Sequence, residues 1–239
     1  MKVLVACEES QRVCIEFRKI GHEAYSADIL PPSGGHPEWH IPGDVLPIIN
    51  GNCDFWTADG GYHVIDAKWD MLIAFPPCTH LAVSGARHFD KKRRDGRQRE
   101  AIEFFGKILN ADCDRICVEN PVGIISGDYI RTYFPDLCRE YGLPRAYSQK
   151  IQPWWFGDNA VKTTCLWLKN LPELKQEVME EPTTKYHEWI APDGTKKRQA
   201  KWIYDAISMK DDDRRTARSK TFPGVARAMA SNWNFRKER

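Results

Sequence analysis

The stretch Asp70–Gly85, DMLIAFPPCTHLAVSG, decides the fold. Met71–Phe75 is a five-residue apolar run, the length of a buried strand. Pro76 and Pro77 end it, because neither proline can donate to a sheet ladder. Cys78 therefore falls at the C-terminal mouth of a strand, where open α/β sheets hold their ligands. Thr79, Ser84 and Gly85 build the loop that leaves this mouth. A lone cysteine is most often a small buried hydrophobe. The double proline and the partners downstream favour a nucleophile.

Upstream, Lys2–Ala6 (KVLVA) is a short apolar strand, followed by the loop Cys7–Ser10 (CEES). Gln11–Ile20 carries Val13, Ile15 and Phe17 among polar residues, which predicts a helix with Ser10 as N-cap and Gly21 closing it. Glu23–Ser26 is a second strand ending at Asp28. Strand, helix, strand, acid is the first half of a dinucleotide-type α/β unit, and the acid stands where such folds bind ribose hydroxyls. The glycine fingerprint of a pyrophosphate loop is absent. Leu30–Gly43 reads as a loop, and Asp59-Gly60-Gly61 as a hairpin turn between Cys53–Thr57 and Tyr62–Ile65.

Downstream, Ala86–Arg99 is the most basic stretch, with Arg87, Lys91, Lys92, Arg93, Arg94, Arg97 and Arg99. A solvated charge run is the ordinary reading; departure straight from the Cys78 loop favours a phosphate-facing lid. Gln98–Leu109 is a helix, and Arg115–Val118 a strand closed by Glu119-Asn120-Pro121. Glu119 follows Cys78 by 41 residues, the span of strand, loop, helix and adjacent parallel strand. Tyr147–Ile151 and Thr164–Leu168 read as later strands, and Gly224–Trp233 as a final helix packed on the first strand, with Arg227 exposed.

The whole is an α/β chain: one Rossmann-like sheet with helices on both faces and a small polar insert. Residues 1–169 form the main domain, 170–213 the insert, and 214–239 return to the main domain. Hydrophobic residues make up 42% of the 239 and charged ones 28%, enough for a core. The formal charge of +2 says nothing about nucleic acid by itself. Eight scattered cysteines, no signal peptide and no apolar run of spanning length predict a reduced, cytoplasmic protein of a bacterial or phage-infected cell, without membrane association or an obligate protein partner. No four ligands cluster for a metal. His36 and His40 read as structural, and Trp154 and Trp155 as core or as lining of a base pocket.

A thiol beside a carboxyl, with no histidine to activate it, suits addition to an electron-poor ring rather than hydrolysis. Cytosine is such a ring. Thiolate attack at ring carbon 6, with the acid protonating ring nitrogen 3, makes carbon 5 nucleophilic enough to take a methyl group.

These residues resemble the DNA (cytosine-5) methyltransferase family. Pro76-Pro77-Cys78 with Ser84-Gly85 is similar to its nucleophile motif, and Glu119-Asn120-Pro121 to its Glu-Asn-Val motif. The resemblance covers about residues 1–168 and the last 26. It implies that Cys78 attacks the ring, Glu119 contacts ring nitrogen 3 and Asn120 helps hold the Cys78 loop, with Pro77 and Arg145 counted among the catalytic residues. It implies S-adenosyl-L-methionine as cofactor, bound by Ala6, Cys7, Glu8, Glu9, Ser10, Asp28 (ribose), Asp44 (adenine amino group), Val45, Phe75 and Pro76. Flipped-out DNA would meet Ser84, Arg87, Lys91, Lys92, Arg93, Arg94 and Arg97.

Three departures stand out. The family's Phe-x-Gly-x-Gly is replaced by Val5, Cys7 and Glu9 at the matching positions. Glu8 and Glu9 would either meet the cofactor's ammonium or repel its carboxylate. The Gln-x-Arg-x-Arg motif that holds the cytosine carbonyl oxygen has two candidates, Arg145 and Gln149–Gln152, and Gly-Asn-x-Val is replaced by Arg218-Ser219-Lys220-Thr221. Gln152-Pro153-Trp154 and Lys162-Thr163-Thr164 with Leu166-Trp167-Leu168 resemble compact cytosine methyltransferase-like proteins of phages and prophages. Two other functions remain open. One is the same covalent chemistry with RNA, a free nucleotide or a carboxylated donor. The other is a DNA-binding decoy that shields restriction sites.

Overall fold

The computed structural model describes residues 1–182, 186–210 and 219–235. Strands β1 (Lys2–Ala6), β2 (Glu23–Asp28) and β3 (His40–Pro42) lie on one side of β6 (Met71–Ala74). On its other side lie β7 (Ile116–Pro121), β9 (Thr164–Lys169) and β8 (Gln149–Ile151), giving the order β3-β2-β1-β6-β7-β9-β8. Counted within this sheet alone, the order is 3-2-1-4-5-7-6, and only β9 runs antiparallel to its neighbours. That is the doubly wound dinucleotide order with one antiparallel strand slipped between the fifth and sixth positions. The hairpin β4 (Cys53–Trp56) and β5 (Tyr62–Ile65) forms at the predicted turn.

Helices cover both faces. Met71, Leu72, Ile73 and Ala74 are all buried, as a central parallel strand requires. On one face α1 (Arg12–Lys19) and the C-terminal helix Pro223–Asn232 pack together over Val3, Val5, Ile73 and Cys117. Phe17 and Trp233 are fully buried there, and the Phe17 side chain alone is worth about 2–3 kcal/mol of burial. On the other face α3 (Arg97–Leu109) turns Ile102, Phe105 and Ile108 onto Leu72 and Val118.

Several local readings change. The stretch read as a loop over 30–43 contains β3, three residues long and ending on Pro42. Glu119, Asn120 and Pro121 continue β7, because β9 pairs with it as far as Pro121 opposite Thr164. The basic segment is helical: a 3-10 turn over Val83–His88, then α2 (Phe89–Arg94). Two short helices, α4 (Asp128–Tyr133) and α5 (Pro135–Glu140), fill the connection after β7. Within 170–213 lies a second hairpin, β10 (Tyr186–Ile190) with β11 (Lys196–Ala200), followed by α6 (Lys201–Asp205).

Ser10 does not cap α1. Gln11 adopts left-handed backbone at φ 56°, and the Glu8 carboxylate accepts the N–H groups of Val13 (2.6 Å) and Cys14 (3.2 Å). The orphan donors of the first turn are thus satisfied from three residues further back. Gly21 closes the helix as expected, at φ 87°, with its N–H on Arg18 and that of His22 on Phe17.

Candidate active site

β6 and β7 are adjacent and parallel, with Ala74 opposite Val118. Phe75 and Glu119 come next along each strand, and both line a small pocket of about 20 Å³, room for about one water molecule. Its other walls are Ile151, Pro153, Lys162, Thr164, Ser219, Thr221, Phe222 and Val225. Burial pushes the Glu119 carboxyl above its ordinary range; the Lys162 ammonium and a hydrogen bond from Thr164 draw it partly back. Glu119 is therefore an acid able to keep its proton where an exposed carboxylate would have lost it.

The Cys78 loop is tied to the same strand ends. The Asn120 amide donates to the Pro76 carbonyl at 2.8 Å. The Cys78 carbonyl accepts the N–H groups of Leu81 and Ala82, both at 2.9 Å. Lys92, expected on the nucleic-acid face, is instead buried, and its ammonium donates to the Thr79 carbonyl, one residue past the cysteine. The Cys78 thiol is half-buried and is not part of the lining of the Glu119 pocket. Pro76 is buried, while Pro77 is exposed.

A second cluster gathers at the tip of β1. Cys7 takes left-handed backbone, φ 58°, the conformation a glycine adopts most readily. Burial raises the Cys7 thiol far above its ordinary range, and the charges of Asp28 and Asp44 add to the effect, so these three groups share one neighbourhood. Ala6 ends β1, its carbonyl accepting the N–H of Phe75 at 3.0 Å. Asp28 accepts the Leu30 N–H at 2.9 Å, and burial raises its carboxyl. Asp44 is exposed beside buried Val45.

The paired glutamates divide their work. Glu8 is spent as the cap of α1, and burial pushes its carboxyl up to about 8 despite the two backbone donors. Glu9 is 8% exposed; one oxygen accepts the Ser33 hydroxyl, and the other is buried without a hydrogen-bond partner. Lys220 donates to that same Ser33 hydroxyl at 2.9 Å. Ser219, Thr221 and Phe222 line the Glu119 pocket, so the segment 219–222 joins it to the β1 tip. Arg218 lies outside the described residues.

Arg145 does not line the pocket: it is exposed, and its carbonyl accepts the Gly127 N–H. Gln149 is engaged with both backbone groups of Leu174. Gln152 grips the next segment, accepting the Lys162 N–H at 3.0 Å and donating to the Thr163 hydroxyl at 2.7 Å. Lys162 is thus the cation that stands with Glu119, a position sequence reasoning missed. Trp154 is buried outside the lining, although its neighbour Pro153 belongs to it. In the basic segment Arg93 pairs with Asp90 and stacks 3.9 Å over Tyr133, and Arg97 pairs with Asp95. Ser84, Arg87, Lys91 and Arg94 stay exposed. His40 is buried between Ser26 and the Leu30 carbonyl, a structural histidine.

No family model and no curated protein matches the chain. Among solved structures, one similar chain is a candidate DNA modification methyltransferase encoded within an E. coli prophage, at 13% identity and a TM-score of 0.46. The match covers 77% of this chain and spans about half, 53%, of that one.

Proposed function

We propose that the protein is a DNA (cytosine-5) methyltransferase in which Cys78 forms the covalent bond to the base. The observation that carries this is the bond from Asn120 to the Pro76 carbonyl. It makes the Pro-Pro-Cys loop and the Glu-Asn-Pro strand end one mechanical unit.

In this reading the Cys78 thiolate adds to ring carbon 6, and the sulfur–carbon bond forms as the Glu119 proton moves to ring nitrogen 3. Burial of Glu119 raises its carboxyl and so favours the protonated form that this step needs. Lys162, whose backbone N–H is gripped by Gln152, lines the Glu119 pocket and supplies the cation for the ring's carbonyl oxygen, where negative charge builds. After transfer the carbon-5 proton leaves to solvent base, the sulfur–carbon bond breaks, and nitrogen 3 returns its proton to Glu119. The duplex must extrude the cytosine first, which costs a few kcal/mol.

The residues at the β1 tip fit S-adenosyl-L-methionine. The buried, unpartnered oxygen of Glu9 is an acceptor for an ammonium group. Asp28 and Asp44 offer carboxylates for ribose and adenine, and left-handed Cys7 preserves the turn that the family builds with glycine. When bound, the cofactor supplies the methyl group from its sulfonium. The kept turn and the joined Cys78 and Glu119 loops favour an enzyme over a decoy.

Incubation with duplex DNA and S-adenosyl-L-methionine, followed by mass spectrometry of the nucleosides, tests the reading. A cytosine heavier by one methylene is the expected product. Unchanged cytosine in every DNA offered would refute it.

A further inference from the structure

The loop that carries Cys78 is held from two sides. On one side Asn120 donates to the Pro76 carbonyl at 2.8 Å. On the other the Lys92 ammonium donates to the Thr79 carbonyl at 2.5 Å. Lys92 belongs to α2 and is 7% exposed, while Lys91 and Arg94 of the same helix are exposed. Phe89, three residues before Lys92 and on the same helix face, is buried as well and packs on the Tyr129 ring at 5.2 Å. The helix is therefore seated with this lysine turned inward.

No carboxylate answers its charge. Among the described residues no acid pairs with Lys92, and Asp90 and Asp95, the acids of its segment, pair with Arg93 and Arg97. Burying an ammonium is costly, and the partner found here is the backbone of the nucleophile's own loop. Gly85 closes the other side of the seat. A Cβ there would stand 3.0 Å from the Lys92 nitrogen and 3.8 Å from the Thr79 carbonyl oxygen. The nitrogen would have to give way, and giving way weakens its bond to Thr79.

We propose that Lys92 is a positioning residue for the nucleophile: its ammonium, seated between Thr79 and Gly85, holds the Cys78 turn to α2 and makes no contact to phosphate. One tie alone would leave the loop free to pivot about it. Two ties, on Pro76 from β7 and on Thr79 from α2, bracket Cys78. The charged donor makes the stronger bond of the two. The inference rests on the proposed function, in which Cys78 attacks the base.

Turnover and DNA binding, measured together, test this. Lys92→Met keeps the buried stem and removes the ammonium. Its kcat for methylcytosine formation is expected to fall about tenfold, equivalent to ~1.4 kcal/mol, with DNA affinity and its salt dependence unchanged. A lost phosphate contact would instead weaken binding and flatten the log–log salt slope by about 0.9. Gly85→Ala, which leaves the Lys92 stem in place and serves where Lys92→Met does not fold, should reproduce the fall in kcat. Combined with Lys92→Met it should cost nothing further, since the nitrogen it displaces is gone. Unchanged turnover in either single variant, a flattened salt slope in Lys92→Met, or a further tenfold loss in the double variant would overturn the role of Lys92 alone. A wild type that forms no methylcytosine would remove the proposed function, and this role with it.

Discussion

The Asn120 side-chain amide spans the gap between two neighbouring strands to reach the Pro76 carbonyl at 2.8 Å, fixing the cysteine loop to the strand that carries Glu119. Asn120 is itself buried. Asn120→Ala leaves that carbonyl unpaired, at a cost of about 1–3 kcal/mol. The variant should unfold at a lower temperature and lose turnover more than substrate affinity, because the loop that aims the thiol is loosened. Thermal unfolding and steady-state kinetics together check this.

Glu119→Gln removes the proton while keeping shape and hydrogen bonding. Turnover should fall by about 10²–10⁴. In the wild type, burial raises the Glu119 carboxyl, so activity should decline as pH climbs through the raised value. A pH–rate profile of wild type and variant should show that alkaline limb only in the wild type.

Lys162→Met acts on the same limb from the other side. The Lys162 charge lowers the Glu119 pKa, so its removal should move the limb to higher pH while reducing the maximal rate. Loss of rate with an unmoved limb would place Lys162 outside the electrostatics of Glu119.

Glu8 yields a prediction about stability. Its folded pKa of about 8 lies above the ordinary 4.5. The folded state therefore holds this proton more tightly than the unfolded chain does. The stabilisation is complete below about pH 4.5 and is lost as pH rises toward 8. Denaturant melts between pH 5 and 8 should show declining stability, with a flatter slope in Glu8→Gln, whose amide oxygen still accepts from Val13.

Much of the fold was legible in residues 70–85. Five apolar residues ended by two prolines predict a central strand, which forms over Met71–Ala74, and the distance to Glu119 allows one crossover to its parallel neighbour. The strand β3 was not legible, since three residues ending at Pro42 carry no period. The Glu8 cap was hidden because it depends on the left-handed turn at Gln11. Lys162 escaped for a topological reason. It reaches Glu119 because β9 enters antiparallel beside β7, with Glu119 opposite Leu166 and Pro121 opposite Thr164. No local pattern in 160–169 specifies that insertion. Lys92 misled in the opposite way: its charge suggested phosphate, whereas its stem is buried and its ammonium is on the Thr79 carbonyl.

The most direct measurement is a covalent trap with duplex DNA carrying 5-fluorocytosine, in the presence of S-adenosyl-L-methionine. Fluorine at carbon 5 blocks the final proton loss, so a thiol that has attacked carbon 6 stays attached. A protein–DNA adduct that survives denaturation, maps to Cys78 and vanishes in Cys78→Ala is the predicted result. An adduct at another residue, or none with DNA that the wild type does methylate, would contradict the account.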